Sequence, residues 1–211
     1  MTARRPVPAS FATSPVVAIV RGGDPAALLP TCEALLDAGI VHLEITTNTE
    51  GWEDAVRTLS AREGAVIGAG TVLTADHVAR TVAAGGTFVV APNTSEEVAA
   101  AAAEAGIDWY PGALTPTEIV HAWELGATAV KVFPARSAGG PGFLADVRAP
   151  LPHIPLMPTG GVALGDIAAY RAAGAIAVGL GSPLLGDALR GGSIDELAER
   201  ARTALAEATR G

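Results

Sequence analysis

Lys131 is the only lysine in the chain, against thirteen arginines, and it stands inside an apolar, strand-like run, Ala127-Thr-Ala-Val-Lys-Val-Phe-Pro-Ala135. Arginine would serve equally well in a salt bridge, but it does not lose its proton in a protein. A lysine amine does, and burial lowers its proton affinity. A lone lysine between Val130, Val132 and Phe133 therefore points to a neutral amine that attacks a carbonyl and forms a Schiff base. The plainer reading is a strand-end lysine whose stem packs on the core while its head reaches water. Glu44 stands in a second apolar stretch, between Leu43 and Ile45. A buried carboxylate is costly unless paired, and its proton affinity rises, which makes it a candidate general acid/base opposite Lys131. A structural Glu44–Lys131 ion pair fits the same two residues.

Two glycine turns supply a second kind of chemistry. Thr159-Gly160-Gly161 and Gly179-Leu-Gly181-Ser182 each precede a helix. Glycine lets a ligand approach the backbone, and free N–H groups at a helix start attract anions. Together they read as a phosphate cradle, and separately as ordinary tight turns. The four histidines, at 42, 77, 121 and 153, show no metal-ligand spacing. No metal or cofactor is expected, because the iminium itself withdraws the electrons. His42, on the face of Glu44 but deeper, reads as a core residue.

These residues need elements to position them. Short apolar strands alternate with helices that open on Ser, Thr or Asp and close on Gly. Strands are expected at 16–20, 41–45, 65–68, 87–91, 108–111, 127–133, 154–158 and 175–179, with a capping box at Thr115-Pro-Thr-Glu118. Eight such units predict an α/β fold, a single (β/α)8 barrel, with an open doubly wound sheet as the runner-up. One domain is expected over 1–211, with a loose lead-in or a short helix at 1–13 and a C-terminal helix in about 192–211. In that barrel the active site lies at the C-terminal strand ends, and Arg21, Glu44, Thr71, Lys131, Thr159 and Ser182 all fall there.

The bulk composition narrows the function. Of 211 residues 49% are apolar and 17% charged, which fits a compact core. A net charge of −8 without a basic cluster argues against nucleic acid, and it obliges local donors to hold any anionic substrate. The single cysteine, Cys32, excludes an internal disulfide and suits a reducing, cytoplasmic setting. Arg4 and Arg5 precede no long apolar run, so neither a signal peptide nor a membrane span is expected.

Six segments in register, Leu43-Glu-Ile-Thr46, Gly68-Ala-Gly-Thr-Val72, Pro111-Gly112, Lys131-Val-Phe-Pro134, Pro158-Thr-Gly-Gly161 and Gly179-Leu-Gly-Ser182, resemble the 2-keto-3-deoxy-6-phosphogluconate (KDPG) and 4-hydroxy-2-oxoglutarate (KHG) aldolases over about residues 14–190. The resemblance implies a class I aldolase of carbohydrate metabolism, of Entner–Doudoroff type and commonly a homotrimer. It would cleave KDPG to pyruvate and glyceraldehyde 3-phosphate, with no cofactor. Position by position, it implies Lys131 as the Schiff-base lysine and Glu44 as the acid/base. Thr71 would contact the pyruvate carboxylate and Phe133 would line the site. Gly160, Gly161 and Ser182 would form the phosphate cradle, with Thr159 touching a substrate hydroxyl or the phosphate; Gly181, from the second glycine turn, is a further expected substrate-binding residue. Some members carry an arginine where this chain has Asn48, and Arg21 is the expected substitute. Thr47-Asn48-Thr49 and Ala91-Pro-Asn93 resemble the galactonate-type (KDPGal) enzymes, whereas Pro158-Thr159 resembles the gluconate type. A phosphosugar epimerase or isomerase, or a non-catalytic phosphosugar-binding protein, is the alternative on the same barrel.

Overall fold

The computed structural model describes residues 4–210. Parallel strands alternate with helices throughout: β1 (Val16–Val20), α1 (Pro25–Asp37), β2 (His42–Thr46), α2 (Trp52–Ser60), β3 (Val66–Gly70), α3 (Ala75–Ala83), β4 (Phe88–Val90) and α4 (Glu96–Ala105) make the first half. The second half runs β5 (Asp108–Tyr110), β6 (Gly112–Ala113), α5 (Pro116–Glu124), β7 (Val130–Val132), α6 (Gly140–Arg148), β8 (Leu156–Pro158), α7 (Ile167–Ala172), β9 (Val178–Leu180), α8 (Ser182–Leu185) and α9 (Ile194–Thr209). Helix starts follow the side-chain chemistry: Asp24, Thr74, Ser95 and Ser193 cap the helices after them, and Thr115 with Glu118 forms the expected capping box.

The strands curl into a six-stranded sheet in the order β5-β4-β3-β2-β1-β9 and a three-stranded sheet in the order β6-β7-β8. Of the expected (β/α)8 barrel, the α/β alternation and the parallel curled sheet are present, with the strands divided six and three. The fifth strand is split at Pro111, which has no N–H to donate. At that seam the backbone is bridged by Thr128 N–H to Trp109 O (2.9 Å) and Lys131 N–H to Pro111 O (2.8 Å). At the other seam Ile176 N–H to Leu156 O (3.0 Å) and a Thr159–Gly179 bridge link β8 to β9.

Side chains alternate along each strand, so the sheets have two buried faces. Leu43, Ile45, Val130 and Val132 pack outward under the helices. Val17, Phe88, Val90, Tyr110, Ala129, Met157 and Ala177 form a separate inner core. That inner core is plugged from the strands' N-terminal side. Phe11, in a 3-10 turn over Ala9–Ala12, stacks on His42 with ring centroids 4.1 Å apart. Ser10 Oγ lies 2.8 Å from His42 Nε2, and Arg5 pairs with Asp108 at 2.6 Å. Of the two readings of the lead-in, the short helix is the one present over its described part, as the 3-10 turn Ala9–Ala12; residues 1–3 of it lie outside the described residues. Apolar burial of Phe11 offsets the ordering cost of the segment. The C-terminal helix α9 packs on both α1 and α7, joining the first and last units. No described helix is long and apolar enough to cross a membrane.

Candidate active site

Glu44 lies at the middle of β2, beside Ile19 of β1 and Gly68 of β3 in the register. Its side chain is 1% exposed, and Oε1 has no hydrogen-bond partner among the described residues. Burial raises its pKa above the ordinary carboxylate value, against the opposing fields of Lys131 and Arg21. Room for the carboxylate comes from Gly70: a Cβ there would stand 2.5 Å from Glu44 Cδ. Gly68 and Gly70, expected at or just beyond a strand end, lie within β3.

Lys131 is the central residue of β7, 4% exposed, with Nζ 5.2 Å from the centroid of the Phe133 ring. Lys131 and Glu44 make no ion pair within 4.0 Å among the described residues, although Glu44 lies in the field of Lys131.

A cavity of about 400 Å3 opens above Lys131. It is lined by eight of the ten expected site residues: Arg21, Lys131, Phe133, Thr159, Gly160, Gly161, Gly181 and Ser182. Glu44 and Thr71 border it indirectly, Glu44 through its charge coupling and Thr71 through a 3.3 Å hydrogen bond from Arg21 Nη2. Thr71 has φ +58°, a rare conformation for a β-branched residue. Such strain survives only where the surroundings enforce it; here Thr47 Oγ donates to Thr71 O at 2.9 Å. Gly160, at φ +91°, has no room for a side chain, since a Cβ would lie 2.9 Å from the Phe133 ring.

A family model described as KDPG and KHG aldolase matches residues 7–199. The chain belongs to this family. It is 37% identical over 190 residues to the 2-dehydro-3-deoxy-6-phosphogalactonate aldolase of Escherichia coli strain K12, covering 89% of this chain and 91% of that one. It is 39% identical over 159 residues to the 2-dehydro-3-deoxy-phosphogluconate aldolase of Pseudomonas aeruginosa, covering 75% and 71%. The solved KDPG aldolase of Legionella pneumophila, with pyruvate captured as a covalent carbinolamine, superimposes with a TM-score of 0.81 at 30% identity, covering 92% of this chain and 95% of that one.

Within this family member, several groups around the site were not among the expected residues. Thr49 Oγ accepts from Gly22 N–H at 2.9 Å and lies 2.9 Å from Thr46 Oγ, which ties the loop carrying Arg21 to the end of β2. The signal for it was the hydroxyl-rich end of that strand, Thr46-Thr-Asn-Thr49. Gly179, already part of the expected second glycine turn, is also required by packing: a Cβ would lie 3.1 Å from Thr159 Cγ2 and closer still to its hydroxyl. Asp187 and Arg190, from the segment after α8, complete the cavity wall, and nothing in the local sequence pattern marks them. Among the described residues no group of three or more His, Cys, Asp or Glu side chains could hold a metal ion.

Proposed function

We propose that this chain is a class I aldolase that cleaves KDPG to pyruvate and glyceraldehyde 3-phosphate, and that its strand segments act as one closed eight-stranded barrel in a single domain. The observation that carries this reading is the placement of the only lysine, buried at the base of the cavity, within the field of a buried carboxylate and not ion-paired to it. The relatives support it: curated members act on phosphorylated 2-keto-3-deoxy acids, and one holds pyruvate as a covalent carbinolamine.

In this mechanism Lys131 Nζ, unprotonated, bonds to C2 of the keto acid. The carbinolamine loses water and leaves a protonated imine. Glu44 takes the proton from the C4 hydroxyl, the C3–C4 bond breaks, and its electron pair flows into the C2–C3 bond of an enamine. Glyceraldehyde 3-phosphate departs. Glu44 returns its proton to C3, and water adds to the imine, releasing pyruvate and restoring the amine. The raised proton affinity of Glu44 suits a group that must accept and then return a proton. Arg21 and Thr71, already hydrogen-bonded, hold the substrate carboxylate. Gly160, Gly161, Gly181 and Ser182 hold the phosphate, with Thr159 and Phe133 between the two ends. Arg21 takes the place of the arginine that some members carry where this chain has Asn48. KHG, which lacks the phosphate, is a secondary substrate, and KDPGal is the alternative to KDPG. We read the enzyme as a cytoplasmic homotrimer.

Borohydride reduction in the presence of pyruvate tests the proposal. Wild-type protein should gain one stable adduct on Lys131, and Lys131→Arg should fold, gain no adduct and show no turnover. An unmodified wild type would refute the Schiff-base step and favour a proton-transferring epimerase or a binding protein instead. Parallel turnover of KDPG and KDPGal decides the C4 preference.

A further inference from the structure

The thirteen arginines are not equally engaged. Arg5, Arg57, Arg62, Arg80, Arg200, Arg202 and Arg210 are ion-paired. Arg4, Arg148 and Arg171 donate to backbone carbonyls, and Arg21 donates to Thr71. Among the described residues only Arg136 and Arg190 have neither a hydrogen-bonded nor an ion-paired guanidinium. Arg136 lies behind Gly161, outside the cavity lining, and its charge falls on Tyr170. Arg190 lines the cavity itself, as Ser182 does.

The backbone that carries Arg190 is held firmly. Arg190 N–H donates to Asp187 O at 2.7 Å within a 3-10 turn, Ala188–Arg190, whose first two residues are buried. Leu189 O accepts from Asp24 N–H at 2.7 Å, and Gly23 passes so close that a Cβ would lie 2.5 Å from Leu189 Cβ. The turn is therefore locked to the loop after β1 that bears Arg21, and the two cations border one cavity. Asp187, also in the cavity lining, makes no ion pair with Arg190 within 4.0 Å among the described residues, and its carboxylate is tucked against Gly192. A desolvated dianion on a protein of net charge −8 needs more than neutral backbone donors. A guanidinium is matched to phosphate oxygens in both charge and geometry.

Resting on the aldolase reading above, we propose that Arg190 is a specificity-determining residue that engages the phosphate end of the substrate and separates phosphorylated from non-phosphorylated keto acids. Glycine amides and Ser182 then orient the phosphate, while Arg190 supplies the charge.

The test compares wild type, Arg190→Gln and Arg190→Lys as full-length proteins, with KDPG turnover and borohydride trapping with pyruvate as the two readouts. Loss of one charge-assisted contact should raise the KM for KDPG about 10- to 100-fold in Arg190→Gln with kcat little changed. Pyruvate, which has no phosphate, should be trapped at the wild-type rate in both variants, and Arg190→Lys should recover part of the KM loss. An unchanged KM, a parallel slowing of pyruvate trapping, or no recovery by lysine would each overturn the assignment. If wild type is trapped on Lys131 but the KM does not move, only the role of Arg190 fails. If wild type is not trapped, the aldolase reading itself has failed.

Discussion

Gly70→Ala places one methyl group where the proposed proton carrier stands. Gly70 is not among the residues with positive φ, so alanine brings no backbone strain. Its Cβ would lie 2.5 Å from both Cγ and Cδ of Glu44, whereas ordinary contact begins at 3.4 Å. The carboxyl group must therefore retreat by about 1 Å, a displacement that costs roughly 100-fold when it moves a reacting group off line. General acid/base catalysis contributes roughly 10²- to 10⁴-fold, so the expected fall in kcat lies at the lower end of that range. The atom struck is the far end of a side chain, so overpacking should cost only about 1–3 kcal/mol of stability. Lys131 is untouched, so the pyruvate adduct should still form. Steady-state turnover, urea unfolding and pyruvate trapping on the same sample separate these effects. Gly68→Ala is the contrast: its Cβ would strike the Phe88 ring, 2.5 Å from Cγ, and the Phe88 carbonyl oxygen. That variant should lose stability before it loses chemistry. Wild-type turnover by a folded Gly70→Ala would refute the assignment of Glu44 as the group that moves the proton.

Thr71→Gly should relieve the left-handed backbone strain and stabilise the fold by about 1 kcal/mol, while the lost Arg21 contact raises KM roughly tenfold. Denaturant midpoint and KM measured together check this, and a variant with wild-type KM would remove Thr71 from carboxylate binding. His42 carries a pH prediction. Burial lowers its pKa from 6.5 to about 4. The unfolded chain therefore takes up this proton first as pH falls, so stability is full above about 6.5, declines between 6.5 and 4, and is flat for this group below 4. The shift corresponds to about 3 kcal/mol. Urea unfolding at several pH values for wild type and His42→Gln reads this contribution as a difference, and identical pH slopes would show that His42 contributes nothing to it.

Most of the architecture was legible because both faces of each strand are buried. Runs such as Val16–Val20 then stand out as uninterrupted apolar segments, and capping residues such as Asp24 and Thr115 mark where helices begin. The chemistry was legible where a residue broke a composition rule: one lysine in a chain of arginines, one glutamate inside a strand. What escaped depends on distant packing. Phe11 reads as part of a polar lead-in until the inner core is seen to need a plug under His42. The split at Pro111 follows from one missing N–H, which sequence periodicity does not weigh. Arg190 is set apart from the other arginines by lining the cavity without a partner among the described residues, and both are properties of the folded molecule.

The electrostatic design follows from the same accounting. A chain of net charge −8 repels a substrate with a carboxylate at one end and a phosphate at the other. Ten arginines are occupied by carboxylates or by backbone carbonyls elsewhere. Arg21 and Arg190 are instead held at the rim of one cavity on two loops locked together through Asp24 and Leu189. Local cations thus set the field at the mouth against the sign of the whole protein. Below them, Lys131 and Glu44 are removed from water without being paired to each other. Closing that pair would stabilise both charges and leave the amine unavailable to a carbonyl. The distance between them is therefore as much a part of the proposed mechanism as the residues themselves.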